Sequence, residues 1–441
     1  MAKSGIRIAV VGGGSSYTPE LVDGLLARRD LPVERITLLD VAMGQEKLAT
    51  VHALSHRMAE RAGRDIRIEA TLDREAALTG ADFVCTQYRV GGLAARARDE
   101  SIPLRYGALG QETVGAGGFA KGLRTVPVAV EIAETIARVA PDAWLLNFTN
   151  PSGMVTEALL NHSAVRTIGL CNVPIGIHRG VARFLGVSED RVRMDFFGLN
   201  HLSFARRFFV DGRDVTAEVL GLAGTGDAGR PANIPAGEWG ETLIRGLGMY
   251  PNSYLRYYWM TDEMVRKEQE SVASGRGTRA DRVMAIEREL FARYADPSLA
   301  EKPPELMKRG GAYYSDVAVT LMESLALNRP REMVVNVRNG RALPDLPPEA
   351  SVEVSCLVDG SGARPLDQGP MPLTVRGLIQ QVKAYEELTI EAALTGSRST
   401  ALLALLANPV GPREPEATKL LDDILNENRD WLPRFFAEHH A

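Results

Sequence analysis

Polar side chains follow three predicted β-strands at the point where each strand ends. The strands are WLLNF, VRTIGL and RVRMDFFGL, and the side chains are those of Asn147, Asn150, Cys171, Asn172, Asn200 and His201. The carboxyl ends of parallel strands meet at one edge of a sheet, where ligands of open α/β sheets bind. The sequence therefore predicts that these side chains converge on one polar site.

Cys171 and His201 carry a thiol and an imidazole, which are side chains that bind metal ions. They are 30 residues apart, so they form no local metal motif. Two protein ligands leave such a site incomplete, and oxygens of a substrate or of water would have to complete it. The spacing also allows a simpler interpretation, in which Cys171 is a small buried residue, His201 is a hydrogen-bonded structural residue and the asparagines cap helices.

A glycine-rich turn follows the first predicted strand, IRIAVV, and the second strand, RITLLD, ends in Asp40. Glycines allow a backbone to approach a pyrophosphate, the helix start supplies N–H donors, and an acid after the second strand can bind a ribose hydroxyl. The pattern predicts a dinucleotide site, and the acid favours NAD over NADP. Tyr17 occupies the place of the third glycine of this fingerprint, so a tight turn without a ligand is the alternative. The predicted cofactor-binding residues are Gly12, Gly13, Gly14, Ser15, Ser16 and Asp40.

Strand and helix patterns alternate over the first two hundred residues. Short β-branched runs such as RITLL and IRIEAT are separated by helical stretches such as TPELVDGLLARR and EKLATVHALSHRMAERAG. This alternation is typical of βαβ units in an α/β fold. Residues 1–200 are therefore predicted to be an NAD-binding Rossmann-like domain, with a mostly parallel sheet that continues to about residue 200.

The pattern changes in residues 201–441, which are predicted to be a mixed α+β domain for substrate binding and oligomerisation. SFARRFFVDGRDV predicts a hairpin that turns at Asp211 and Gly212. MVVNVR and ASVEVSCLVDG predict antiparallel strands, and long amphipathic stretches such as ADRVMAIERELFARYAD predict helices. Residues 223–237 are rich in Gly, Pro and Ala, which predicts a mobile surface loop.

Composition restricts the class of protein. A formal charge of -5 over 441 residues argues against a general nucleic-acid or anionic-membrane surface. The three cysteines have no CxxC spacing, which favours a reducing compartment over a disulfide framework. The apolar run near the start is too short for a signal peptide, and no run is long enough to span a bilayer. These features predict a cytoplasmic protein.

Several longer segments can be compared with known motifs, among them TQYRVGGLAARARDE, YGALGQETVGAGGFAKGLRTVPV, NFTNPSG, IGLCNVPIG, GLNHL and SYLRYYW. Together they resemble glycoside hydrolase family 4, and within it the 6-phospho-β-glucosidase branch, which is not a two-carboxylate glycosidase. The resemblance implies that NAD⁺ removes hydride from C3 of the sugar and that a base then takes the C2 proton. The aglycone leaves by elimination, water adds, and the hydride returns to C3.

The resemblance also implies the base and the metal ligands. Tyr254 is the implied base, and Cys171 and His201 are the implied ligands of Mn²⁺ or another divalent ion. A free tyrosine has a pKa of about 10, so proton abstraction near neutrality requires a cation nearby. The neighbouring Tyr257 and Tyr258 are equally consistent with packing in the core.

The implied substrate is a 6-phosphorylated β-glucoside. The resemblance assigns Arg96 and Arg279 to its phosphate and Asn150 to the sugar or phosphate, and it places Glu112 near the site without a defined role. Asn172 stands where relatives that act on α-linked sugars have an aspartate, which favours β-linked substrates and leaves the general acid unidentified. The resemblance further implies a homo-dimer or homo-tetramer.

Two other functions fit part of the pattern. An NAD-dependent dehydrogenase of the 2-hydroxy-acid type would use the same sheet and glycine turn, but it would accumulate NADH. A nucleotide-sensing module would bind NAD without turnover, and it gives no reason for Cys171, His201 and Tyr254 to occur together.

Overall fold

The computed structural model describes residues 5–223, 239–309 and 313–437. Its strands are β1 (Ile6–Val11), β2 (Val33–Leu39), β3 (Arg67–Thr71), β4 (Phe83–Thr86), β5 (Trp144–Asn147), β6 (Arg166–Gly169), β7 (Val192–Leu199), β8 (Leu202–Val210), β9 (Arg213–Asp214), β10 (Tyr250–Pro251), β11 (Arg331–Arg338), β12 (Ser351–Asp359) and β13 (Gly362–Pro365). Its α-helices are α1 (Thr18–Ala27), α2 (Gln45–Arg61), α3 (Arg74–Leu78), α4 (Gly92–Leu104), α5 (Gly115–Val139), α6 (Ser152–His162), α7 (Val173–Leu185), α8 (Thr216–Ala223), α9 (Glu241–Leu247), α10 (Arg256–Trp259), α11 (Thr261–Ala273), α12 (Arg279–Tyr294), α13 (Tyr314–Leu327), α14 (Leu373–Thr395), α15 (Arg398–Ala407) and α16 (Glu416–Glu427).

The larger sheet has nine strands in the order β13-β12-β11-β6-β5-β4-β1-β2-β3. The six strands from β6 to β3 are mutually parallel. Their apolar runs are buried because helices cover a parallel sheet on both faces. This arrangement confirms the predicted α/β class with a mostly parallel sheet.

The prediction that the parallel sheet continues to residue 200 is wrong. β7 belongs to a second, antiparallel sheet in which it pairs with β8. The reason is the two-residue connection formed by Asn200 and His201, which is too short for the crossover that a parallel neighbour needs. His201 has φ 65°, which lets the chain reverse at this point. Asn200 and His201 therefore lie in a hairpin turn and not at the end of a parallel strand.

The region after residue 200 also contributes to the larger sheet. β11 joins β6 in antiparallel orientation, and β12 and β13 follow at the edge. The predicted antiparallel pair of β11 and β12 is confirmed, as is the hairpin of β8 and β9, which turns at Asp211 and Gly212 with φ 50° and 81°. The division at residue 200 into two domains stays a prediction. Nearly all of the predicted loop 223–237 lies outside the described residues.

Among the helices of the described residues, none is both long enough and apolar enough to cross a bilayer.

Candidate active site

A cavity of about 930 Å³ opens at the carboxyl edge of the parallel strands. Its wall includes the residues that follow β1, β2, β4, β5 and β6, together with the β7–β8 turn and the start of α12. Among the residues predicted for the site, those that line it are Gly12, Gly14, Ser15, Asp40, Arg96, Asn150, Asn172, His201, Tyr254 and Arg279. One cavity therefore brings together the glycine turn, a tyrosine, a histidine and two arginines.

The glycine turn is shaped by close contacts with the neighbouring strands. Gly12 has φ 84°, and a Cβ on it would lie 2.9 Å from the backbone of Tyr88. A Cβ on Gly13 would lie 2.7 Å from Leu38, so Gly13 packs against β2 and does not line the cavity. Ser16 is also fully buried behind the wall, where its carbonyl accepts a hydrogen bond from Tyr294. These two residues shape the turn without facing the cavity.

Asp40 is fixed at the end of β2 by two backbone donors. The N–H groups of Gly14 and Val41 donate to its carboxylate, each at 2.8 Å. Exposed apolar side chains lie beside it on the cavity wall, Val41 at 66% and Met43 at 80% exposure. The carboxylate can accept hydrogen bonds from ribose hydroxyls, and the open apolar patch can contact an aromatic base, so together they fit a dinucleotide. The negative charge of the carboxylate disfavours a 2′-phosphate, which favours NAD over NADP.

The rings of His201 and Tyr254 are stacked, with centroids 3.7 Å apart and planes 8° apart. Nδ1 of His201 is hydrogen bonded to the Thr113 hydroxyl at 3.0 Å, which leaves Nε2 as the nitrogen for a metal ion. Burial lowers the pKa of His201 to about 3, so the ring is in the neutral form that binds metals. Tyr257 and Tyr258 do not line the cavity and pack in the core.

Cys171 lies behind the cavity wall, between β6 and α7. Burial, followed by the charge of Glu353, raises the pKa of its thiol well above the usual value, while hydrogen bonds from Val173 and Asn200 oppose the shift. Nowhere in the described parts of the chain are three His, Cys, Asp or Glu side chains grouped to hold an ion. A thiol and an imidazole fit a divalent ion as a partial ligand set, which leaves positions for substrate oxygens.

Asn150 presents an unused acceptor at the cavity. Its side chain is hydrogen bonded to Tyr314, whereas its Oδ1 is buried and has no donor among the described residues. A buried oxygen without a donor costs free energy unless a ligand supplies one. A sugar hydroxyl is a donor of the required kind.

Glu112 is surrounded by cations on one wall of the cavity. It accepts from Arg89, from Arg96 at 2.9 Å and from Lys121 at 2.9 Å. Burial favours the neutral acid, but these three cations hold the pKa of Glu112 well below its usual value. Arg96 also pairs with Glu100 at 2.7 Å, so its charge is already shared by two carboxylates.

Arg279 is the predicted phosphate ligand with most unused capacity. It begins α12 and donates from Nη2 to the carbonyl of Arg309 at 3.2 Å, but its buried Nε has no acceptor among the described residues. Burial, then the neighbouring charges of Arg96 and Arg282, lowers its pKa. An anion at this position would supply the missing acceptor and offset the repulsion between the guanidinium groups.

Two other residues of the wall, Arg309 and Trp431, carry no signal in the sequence. The guanidinium of Arg309 lies 4.5 Å from the centre of the Tyr17 ring, and Arg309 lines the cavity. The segment that contains Arg309 matches no motif. Trp431 reaches the cavity from the C-terminal turn, close to Gly91. Lys121 could have been found, since it lies within the motif that contains Glu112.

The sheet order, the glycine turn and the acid after β2 define a Rossmann-type dinucleotide-binding protein. Family models narrow this class. The model described as family 4 glycosyl hydrolase matches residues 7–187, and the model of the family 4 glycosyl hydrolase C-terminal domain matches residues 196–411. The chain therefore belongs to family 4 of the glycosyl hydrolases, and the resemblance predicted from the sequence is confirmed.

Individual relatives are similar over nearly the whole chain. The probable 6-phospho-beta-glucosidase of Bacillus subtilis (strain 168) is 49% identical over 440 residues, which are 99% of each chain. The structure of the 6-phospho-beta glucosidase from Thermotoga maritima with manganese, NAD⁺ and glucose-6-phosphate has a TM-score of 0.88 and 38% identity, and the match covers 97% of this chain and 99% of that one. Malate dehydrogenase from Plasmodium falciparum, with a TM-score of 0.52, 14% identity and coverage of 88% and 98%, is similar in fold alone.

Proposed function

We propose that the chain is a 6-phospho-β-glucosidase that requires NAD and a divalent metal ion, with Mn²⁺ as the ion. The observation that carries the proposal is a single cavity that holds an acid for a dinucleotide, a stacked tyrosine and histidine, and a guanidinium with an unused donor. The relative at 49% identity is named a probable 6-phospho-beta-glucosidase, and the structure at 38% identity is that of a 6-phospho-beta glucosidase with manganese, NAD⁺ and glucose-6-phosphate. The dehydrogenase alternative has only a likeness of fold in its favour.

The phosphate and the sugar would be held by different parts of the wall. Arg279 and Arg96 would bind the phosphate, with Arg279 supplying the donor that has no acceptor. Asn150 would accept a hydrogen bond from a sugar hydroxyl, and Asn172 lies on the same wall. These contacts would hold the sugar phosphate in the cavity that Tyr254 also lines.

Tyr254 would act as the base in the step that breaks the glycosidic bond. The chemistry that bound NAD⁺ and a divalent ion supply is transient oxidation of the sugar at C3 and polarisation of the C3 oxygen. Oxidation at C3 makes the C2 proton acidic, and the phenolate oxygen of Tyr254 would accept this proton and become the neutral hydroxyl. The ring is held for this task by its contact with His201, one of the two proposed metal ligands.

Asn172 favours β-linked over α-linked substrates. An amide cannot donate a proton to a leaving group as a carboxylic acid can, so this position offers no acid for the departure of an α-linked aglycone.

A panel of chromogenic glucosides tests the function. The full chain should release the chromophore from a 6-phospho-β-glucoside, and only when NAD⁺ and Mn²⁺ are both present. The α-linked and non-phosphorylated compounds should be much poorer substrates. The absorbance of NADH should not increase over many turnovers, because the hydride returns to the sugar; steady accumulation of NADH would instead indicate a dehydrogenase.

Arg279→Ala should raise KM for the 6-phospho-β-glucoside and lower kcat/KM by about 10- to 150-fold. This range corresponds to the loss of a charge-assisted hydrogen bond of about 1.5–3 kcal/mol. Arg282→Ala is the matched control, since Arg282 lies on the same helix but is exposed and outside the cavity wall. Steady-state kinetics measure KM and kcat of both variants. An equal loss of kcat/KM in both would show that Arg279 does not bind the phosphate.

We further propose a cytoplasmic location and a homo-dimer or homo-tetramer. A phosphorylated sugar is ionised, so a membrane retains it in the cytoplasm. A hydrolase of this sugar is therefore expected in the same compartment. The three cysteines are buried and free, as expected in a reducing compartment. Light scattering of the purified chain measures the oligomeric state directly.

A further inference from the structure

A buried hydrogen-bond network lies directly behind the proposed metal site. Its centre is the carboxyl group of Glu353 on β12, which is fully buried. Glu353 accepts from the Asn200 amide at 3.0 Å, from the Ser203 hydroxyl at 2.8 Å and from the Asn336 amide at 3.2 Å. One carboxyl group thus joins the larger sheet to the β7–β8 hairpin.

Both proposed metal ligands are attached to this network. The thiol of Cys171 is hydrogen bonded to Glu353 and to the side chain of Asn200. Asn200 immediately precedes His201 in the hairpin turn. Asn336 adds a second connection, because it pairs with Gly169 at the end of β6, two residues before Cys171.

The network also reaches the proposed base. The Ser203 hydroxyl, which donates to Glu353, accepts from the Asn252 amide at 3.0 Å. The Oδ1 of Asn252 accepts in turn from the backbone N–H of Tyr254 at 3.0 Å. Ser203 and Asn252 are both fully buried, so no water competes for these bonds.

We propose that Glu353 is a positioning residue that sets the metal ligands Cys171 and His201, and through Ser203 and Asn252 the base Tyr254, in one fixed arrangement. This inference rests on the proposed function, because it requires the metal site. It gives a role to a residue in β12 that has no motif in the sequence and no contact with the cavity.

Glu353 costs free energy to bury. Burial of a carboxyl group is unfavourable, and apolar residues of similar volume would stabilise the core equally well. Three donors converge on Glu353, two from the β7–β8 hairpin and one from β11, so the carboxyl group fixes these two parts of the chain relative to each other. Partners behind metal ligands orient them, and loss of such a partner typically weakens metal binding by about 10- to 100-fold.

Glu353→Gln tests the inference, since it keeps the volume but places an amide N–H₂ against a cluster of donors. We expect the Kd of Mn²⁺ for the full chain, measured by electron paramagnetic resonance of the free ion, to rise by about 10- to 100-fold. The Kd of NAD⁺, measured by calorimetry, should not change. The thiolate-to-metal absorption of the Co²⁺-loaded chain should weaken, which a purely structural defect remote from Cys171 would not cause.

Glu323→Gln is the control, because Glu323 is also buried but pairs with Arg329 and Arg331 away from the cavity. An unchanged Kd of Mn²⁺ in Glu353→Gln would overturn the inference while leaving the proposed function intact. A wild-type chain that bound no Mn²⁺ would overturn both. Should Glu353→Gln not fold, Asn336→Ala removes a single donor from Glu353 and leaves the side chains next to the metal ligands in place. A rise in the Kd of Mn²⁺ would support the inference, and an unchanged Kd would overturn it.

Discussion

Tyr254→Phe should reduce kcat by about 10²- to 10⁴-fold, which is the contribution expected of a positioned general base. The variant loses only the hydroxyl, so the ring can still stack on His201 at 3.7 Å and the fold should be preserved. The Kd values of NAD⁺ and Mn²⁺ should be unchanged. In D₂O the wild-type chain should place deuterium at C2 of the released sugar phosphate, and the variant should do so at a similarly reduced rate.

Tyr257→Phe separates the loss of a base from a general effect of removing a tyrosine hydroxyl. Tyr257 packs with its ring centroid 5.7 Å from that of Tyr254, but it does not line the cavity. Burial, then the charge of Glu268, raises its pKa, so it is neutral at physiological pH. We expect near wild-type turnover from this variant. Wild-type kcat in Tyr254→Phe would assign the base to another residue.

The features that the sequence predicted best are local ones. The glycine turn and the strands β1 and β2 follow from β-branched runs, from glycine and from an acid, all within 40 residues. Their geometry depends on neighbours in sequence and on the parallel pairing of β1 with β2. Short-range patterns of this kind specify the local backbone, and parallel pairing then brings the strand ends to one edge.

The predictions from the sequence were wrong or incomplete where residues that are far apart in the sequence meet in the fold. RVRMDFFGL is as apolar as a parallel strand, and nothing within it indicates that the Asn200–His201 turn returns the chain into β8. Glu353 meets Asn200 across 153 residues, and Arg309 and Trp431 reach the cavity from segments that have no motif. Contacts of this kind depend on the packing of whole elements, and no periodicity in the sequence encodes them.

The roles of single residues came from the resemblance and not from the residue types. Composition and spacing alone favoured a small buried residue at Cys171 over a metal ligand, and all three cysteines are indeed buried. What distinguishes Cys171 is its position between β6 and α7 and its bond to Glu353. Its role as a metal ligand therefore remains a prediction that requires an experiment of its own.

Cys171→Ala should abolish Mn²⁺ binding at micromolar concentrations and reduce kcat/KM by about a thousandfold, because a metal ion supplies several kcal/mol of charge stabilisation in the transition state. NAD⁺ binding should persist, since Asp40 is held by the backbone N–H groups of Gly14 and Val41. Titration with Mn²⁺ measures the first effect, and kinetics at saturating NAD⁺ measure the second. Added Mn²⁺, Co²⁺ or Zn²⁺ should not restore turnover.

Cys356→Ala distinguishes loss of a ligand from loss of a buried thiol. Cys356 is fully buried on β12, and its Sγ has only the Val354 carbonyl as a weak partner, at 3.4 Å. Both variants remove one sulfur atom from the interior, so both should lower the free energy of unfolding by a similar amount, about 1 kcal/mol. Only Cys171→Ala should lose the metal, because Cys171 alone among the three cysteines adjoins the network of Glu353 and Asn200. Equal loss of Mn²⁺ binding in both variants would mean that the thiol supports the fold and that the ion is held elsewhere.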